Sequence, residues 1–193
     1  MHCKQILTPI VIALFSLLLL KPVHSEENSS DLTEENLDRI TGVFTGDYDQ
    51  MVKDRLIRVL APHSKTFYFF DGAKPRGIAY EMVMQFEKLV NKKHKTKNLK
   101  INVLVIPTAR ENLIPHLRDG KGDIAVGNLT ITEDRLKHVD FSDPFATGVN
   151  EILVSNGKSP ALNSVFSLAG KKIHTRKSSS YYQSLLRVIN TLD

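Results

Sequence analysis

Three short apolar runs separated by helical periodicity constrain this chain more than any other feature. Leu56-Ile57-Arg58-Val59-Leu60-Ala61 reads as a strand, as do Leu99 to Ile106 and Asp123-Ile124-Ala125-Val126-Gly127. Between the first two, Ile78, Met82, Phe86, Leu89 and Val90 fall on one helical face. Between the second and third, a helix is expected from Asn112. Pro115 then sits in its first turn, where the missing N–H costs nothing, and Gly120 ends it. Strand, helix, strand, helix, strand is the rhythm of an α/β sheet. Leu99 to Ile106 is apolar on both faces, which predicts a central place among parallel strands.

The flanking stretches are read the same way. Residues 26–54 are polar and predict two helical pieces. Asp31 with Glu34 makes a capping-box start for one, and Asp47 to Val52 the other. Phe67-Tyr68-Phe69-Phe70 followed by Asp71 to Gly77 reads as a strand and a turn with hairpin potential. Lys92, Lys93, His94, Lys95, Lys97 and Lys100 are read as a solvated helix end, where cations suit the negative end of the dipole. Further on, Asn150 to Val154 and Lys171 to Thr175 predict strands. Ser164 to Leu168 predicts a short helix and Ser180 to Leu192 a longer one.

Composition narrows the class. Of 193 residues 41% are apolar and 24% charged, which is globular. The net charge is +5, from 26 basic and 21 acidic residues. Residues 1–25 hold Lys4 and Lys21 and no acid, so without them the balance is 24 against 21, or +3. That bias is too mild to imply a nucleic-acid partner, which needs a domain-wide basic stripe. The single cysteine, Cys3, lies in those first 25 residues, so no disulfide, thiolate nucleophile or cysteine metal site is expected beyond them.

The first residues read as a leader. Lys4 precedes Ile6 to Leu20, apolar except for Thr8, Pro9 and Ser16, and Val23 and Ser25 stand at −3 and −1 of a cleavage site before Glu26. A spanning helix wants roughly 20 apolar residues, so this run is short for one. An uncleaved anchor, helped by Lys21, is the competing reading. Either way the rest of the chain is expected outside the cytoplasm, in the periplasm or cell envelope.

The stretch that carries chemistry runs from Gly127-Asn128-Leu129-Thr130-Ile131-Thr132-Glu133-Asp134-Arg135 to Val139-Asp140-Phe141-Ser142-Asp143-Pro144. It leaves the carboxyl end of a strand, where open α/β sheets bind ligands. Thr130 offers a hydroxyl, and Arg135 a planar fork that grips a carboxylate with two bonds. By spacing alone an Arg in the first turn of a helix is more often a surface ion-pair partner. Thr132 with Asp134 or Arg135 also fits simple helix capping.

The string resembles the G-x-T-x-T-x-x-R…(I/V)-D-F-(S/T)-x-P-(F/Y) signature of family 3 bacterial extracellular solute-binding proteins, the polar amino-acid binders. The similarity extends from about Leu56 to Tyr182. More narrowly, Arg55 to Leu60 with Ser64 to Phe69, and Arg176-Lys177-Ser178-Ser179-Ser180-Tyr181-Tyr182, resemble the binding-protein module of membrane-bound lytic transglycosylases of the F type. The resemblance implies a two-lobed periplasmic-binding-protein fold closing on ligand in a cleft. It implies that Asn128, Thr130 and Arg135 bind ligand from lobe one, with Thr130 and Arg135 on its carboxylate. Ser178, Ser179, Ser180 and Tyr181 would supply N–H groups from lobe two at the start of a helix, which is an anion site. Two features depart from the family. Amino-acid binders place an acid after the first strand for the ligand ammonium, and here the chain reads Pro62-His63-Ser64. The second such acid of the family lies later than residue 193.

The expected organisation is a signal peptide over 1–25, a helical segment over 26–54, lobe one over 55–148 and an incomplete lobe two over 149–193. That last piece is close to the limit of about 40 residues below which a segment rarely folds alone, which reads as truncation. Neither G-x-S-x-G nor H-E-x-x-H occurs, and His63, His94, His116, His138 and His174 lack metal-ligand spacing. His174 is read as strand surface, and Asp140 and Asp143 as turn residues around Ser142-Asp143-Pro144. No cofactor, metal or catalytic residue is expected.

The leading reading is therefore an exported solute-binding or sensor module for a small carboxylate-bearing ligand: an amino acid, a peptide or a muropeptide. Its partners would be that ligand or a peptidoglycan fragment, and a membrane transporter or cell-wall enzyme. The alternatives are the regulatory part of a lytic transglycosylase without its catalytic domain, and a binding-protein-like dehydratase.

Overall fold

The computed structural model describes residues 34–160 and 162–192. The expected leader and the Asp31 end of the capping box lie outside the described residues. The chain divides into Met1–Leu37 and Asp38–Asp193. Helix α1 (Glu34–Thr41) begins in the first unit; everything that follows belongs to the second.

Helix α2 (Tyr48–Asp54) ends at Arg55, which adopts the left-handed conformation at φ 56° and turns its N–H back onto the carbonyls of Met51 and Val52. That sharp stop feeds strand β1 (Leu56–Pro62) directly. A short antiparallel hairpin follows, β2 (Phe69–Asp71) with β3 (Lys74–Arg76). Gly77 joins it to helix α3 (Ile78–Lys93) at φ 118° and ψ 163°. A Cβ there would lie 2.2 Å from the Phe67 carbonyl oxygen, so only glycine fits this joint. Strand β4 (Asn102–Thr108), a 3-10 turn (Arg110–Asn112), helix α4 (Leu113–Arg118) and strand β5 (Ile124–Ala125) complete the alternation. Helix α5 (Glu133–Leu136), a second 3-10 turn (Val165–Leu168) and helix α6 (Ser180–Leu192) come after the sheet.

All three strands of the sheet are parallel, in the order β4-β1-β5. Every residue of β1 from Ile57 to Pro62 is buried, which is the signature of a strand covered on both faces. On one face Ile57 and Val59 meet Val83 and Val90 of α3, Val103 of β4 and Ile101 just ahead of it, with Met51 and Val52 of α2 alongside. On the other point Arg58 and Leu60, and α4 packs against β1 and β5. Burying each large aliphatic side chain such as Ile57, Leu60, Ile101 or Leu113 contributes about 1.5–3 kcal/mol.

Three sequence expectations differ from the structure. The middle run forms a strand as expected, but at the edge: β1 is central and β4 flanks it. Asn102 N–H bonds the Arg55 carbonyl of the β1 side. The outward-facing groups are covered by α3 instead of another strand. Val103 N–H donates to the Glu87 carboxylate at 2.8 Å, Ile101 N–H to the Asn91 side-chain oxygen at 2.9 Å, and Asn91 Nδ2 to the Ile101 carbonyl at 2.8 Å.

The same contacts explain the second correction. The buried stripe of α3 is Ala79, Val83 and Val90 with Phe86 partly packed, while Ile78, Met82 and Leu89 are exposed. The helix is apolar along both stripes. Glu87 and Asn91 lie on the flank opposite Ile78, Met82 and Leu89, so reaching the β4 edge fixes the rotation.

Third, Asn150–Val154 and Lys171–Thr175 enter no strand ladder. An extended segment becomes a strand only where a neighbour takes its N–H and C=O groups. Leu153 and Val154 are instead separated from Lys171 to His174 by a hollow of about 390 Å³. His174 is exposed on that hollow, not on a strand. Asn112 stands at the N-cap position of α4, where the helix is expected to begin, though its side chain makes no capping bond. Among the described residues no helix is long and apolar enough to cross a membrane.

Candidate functional site

Parallel strands put their carboxyl ends on one edge of the sheet, and the site forms beyond that edge. Val126 N–H still bonds the Leu60 carbonyl at 2.9 Å. The chain then leaves through Gly127, where a Cβ would meet Leu113 Cδ1 at 2.9 Å. Asn128 follows at φ 48°, a left-handed conformation that asparagine tolerates better than most residues. The turn aims Leu129 and Thr130 across a pocket of about 280 Å³.

Thr132 caps α5 by accepting the Arg135 backbone N–H at 3.3 Å. The capping reading is therefore right for Thr132, and it leaves the Arg135 side chain to face the pocket. That guanidinium is half-buried. Nη1 donates to the Thr130 carbonyl at 2.8 Å and Nη2 to the Ser178 carbonyl at 3.4 Å. Burial lowers the Arg135 pKa, the neighbouring Arg176 cation lowers it further, and Asp134 works the other way.

The three consecutive serines have three separate jobs. Ser178 gives its carbonyl to Arg135. Ser179 is buried and caps α6: its Oγ accepts Tyr182 N–H at 3.3 Å while donating to the Arg176 carbonyl at 2.6 Å. Its own N–H also bonds the Arg176 carbonyl at 3.0 Å, so it is engaged within the turn and not offered to a ligand as expected. Ser180 Oγ donates to Thr130 Oγ1 at 3.0 Å. Tyr181 is exposed at the rim. Asn128, Thr130, Arg135, Ser178, Ser179, Ser180 and Tyr181 thus all line one pocket.

Sequence reasoning missed two cations there, Arg110 and Arg176. Arg110 follows the end of β4, and that position was the available signal. Its guanidinium sits 4.8 Å over the Phe67 ring, and Nη1 donates to the Gly127 carbonyl. Burial lowers its pKa first, Arg176 next, with Tyr181 opposing and Arg135 adding a little. Arg110 and Arg135 remain cations at neutral pH, given the very high ordinary value of guanidinium. Ser142 Oγ donates to the Asp143 carbonyl at 3.3 Å, and residues 139–144 form no hydrogen-bonded turn, so Asp140 and Asp143 are not the turn residues expected. Among the described residues no group of three or more His, Cys, Asp or Glu side chains is placed to hold a metal.

The family profile described as bacterial extracellular solute-binding proteins, family 3, matches residues 57–192. The chain belongs to that family. It is a solute-binding module of mixed α/β fold. Over 129 residues it is 25% identical to the membrane-bound lytic murein transglycosylase F of Desulfosudis oleivorans, covering 67% of this chain and 26% of that one. Over 187 residues it is 27% identical to the ABC transporter glutamine-binding protein GlnH of Bacillus subtilis, covering 94% of this chain and 63% of that one. An ancestral arginine-binding protein bound to arginine aligns in structure with a TM-score of 0.47 and 27% identity, covering 70% of this chain and 57% of that one. The chain therefore spans between 26% and 63% of the length of these two curated relatives.

Proposed function

We propose that the chain binds a small carboxylate-bearing solute, with Arg135 and Thr130 as the carboxylate anchor. One observation carries this reading. Arg135 is held half-buried on the pocket by two carbonyls, one from Thr130 within its own turn and one from Ser178, 43 residues further along the chain. Those two bonds engage two of the five guanidinium N–H groups, and the others are the donors a carboxylate would take. In this reading residues 55–148 form lobe one and residues 149–193 contribute the facing side, with Ser178 to Tyr181 closing on the ligand. The glutamine-binding relative named above supports an amino acid as the solute. The chain would act by binding, without catalysis of its own.

Calorimetry with amino acids, small carboxylates and a muropeptide tests the anchor. A charge-assisted bond is worth roughly 1.5–3 kcal/mol, so Arg135→Ala is expected to weaken binding by about ten- to a hundredfold. Arg135→Lys restores part of it, because a point charge lacks the fork. Equal affinity for the unaltered chain and Arg135→Ala overturns the assignment.

The transglycosylase relative favours a second reading, a sensor of peptidoglycan fragments that serves a cell-wall enzyme; preference for the muropeptide over free amino acids selects it. In the first reading the partner is a membrane transporter. Both place the chain outside the cytoplasm after cleavage before Glu26, and the intact mass of exported protein checks that position. A mass retaining Met1 to Ser25 selects the anchor.

A further inference from the structure

The pocket carries more positive charge than one carboxylate requires. Arg110, Arg135, Arg176 and Lys177 line it, against Glu111 and Asp134. Asp134 already has Lys137 Nζ at 3.9 Å. Among the described residues none of the three guanidiniums is in an ion pair.

Arg110 is held in place without being neutralised. The Phe67 ring lies under its guanidinium at 4.8 Å, and the Gly127 carbonyl takes one N–H. Arg176 lies close enough for its charge to disfavour the charged forms of both Arg110 and Arg135. Three cations that repel one another around a half-buried space are an arrangement that an anion stabilises and a neutral group does not. Arg135 accounts for one carboxylate. Arg110, with Arg176, is left facing the rest of the ligand.

We propose that the pocket takes a small dianion, one carboxylate on Arg135 and a second carboxylate between Arg110 and Arg176. This rests on the reading of Arg135 as the anchor. A ligand with an amide at the second position would leave the half-buried Arg110 cation without a charged partner, which is how a site disfavours a near-isostere.

Glutarate and its monoamide glutaramate are the probes. They match in shape and differ in the second charge, and neither has an ammonium group. Calorimetry is expected to show glutarate binding at least about tenfold tighter, with the preference shrinking as salt is raised. Arg110→Gln and Arg176→Gln should each bring that ratio toward one. The Arg176 side chain is exposed, so its variant keeps the test valid if loss of Arg110 from the Phe67 ring disturbs folding. Arg135→Gln should weaken both probes together and keep the ratio.

A ratio near one in the unaltered chain overturns the proposal, as does no glutarate binding up to about 10 mM. Inorganic phosphate binding as tightly as glutarate overturns the two-carboxylate assignment. The anchor is judged separately, by whether Arg135→Gln weakens glutaramate.

Discussion

Arg58 is 1% exposed in the middle of β1, and its guanidinium is bonded on every side. Nη2 reaches Asp123 Oδ1 at 2.8 Å and the Gly120 carbonyl at 3.0 Å, while Nη1 takes the Gly42 carbonyl at 2.6 Å. Asp123 Oδ2 also accepts the Arg58 backbone N–H at 2.7 Å. One pair thus ties β1 to the loop before α2 and to the entry of β5. Removing one partner leaves an uncompensated buried charge, so Arg58→Ala or Asp123→Ala is expected to cost about 3–5 kcal/mol in urea denaturation. The double substitution should cost clearly less than the sum, because the second change removes the group the first one stranded. Simple additivity would show that the two side chains do not act as a pair.

At the scale of elements, the edge of β4 decides how α3 lies. Val103 and Ile101 turn their N–H groups away from β1, and an open edge of this kind invites another chain. Glu87 and Asn91 cover it from the helix. Glu87→Ala is expected to lower stability by roughly 1.5–3 kcal/mol, the worth of a hydrogen bond to a charged group, and Glu87→Gln by less, since its amide oxygen still accepts. Asn91→Ala strands both the N–H and the carbonyl of Ile101 and should cost at least as much as Glu87→Gln. Chemical denaturation beside the exposed control Lys88→Ala measures this; a Glu87→Ala cost no larger than the control would mean that water serves the edge equally well. Periodicity showed that α3 is amphipathic, but Ile78, Met82 and Leu89 satisfy it as well as Ala79, Val83 and Val90. Only the partners of two polar side chains choose between them.

Over the whole molecule, burial is uneven. The sheet and α3 hold the apolar core, whereas Val149, Ile152, Val154 and Phe166 are 75%, 85%, 87% and 72% exposed. Ordering a residue's backbone costs about 1–2 kcal/mol, and little buried surface offsets it in this later stretch. Hydrogen exchange is therefore expected to be fast over Ile152 to Val154 and Ile173 to Thr175 and slow over Ile57 to Leu60 and Val103 to Val105. Equal protection would show that the later stretch is stabilised by contacts other than buried apolar area, and ligand closing the pocket at Ser178 to Tyr181 should slow exchange nearby.

What the sequence by itself determined is local in range. The α/β alternation, the helix Ser180–Leu192, the turn at Gly120 and the run from Gly127 to Arg135 are all set by neighbours within a few positions, through periodicity, capping and turn chemistry. The tertiary structure decided what depends on groups far apart in the chain. Which strand is central follows from whether a second strand or a helix takes the outer N–H groups of β4. Whether Asn150–Val154 and Lys171–Thr175 become strands depends on a pairing partner. That Arg110 and Arg176 share a pocket with Arg135 requires the ends of β4 and β5 to meet the turn before α6, and charges brought together in that way leave no pattern along the chain.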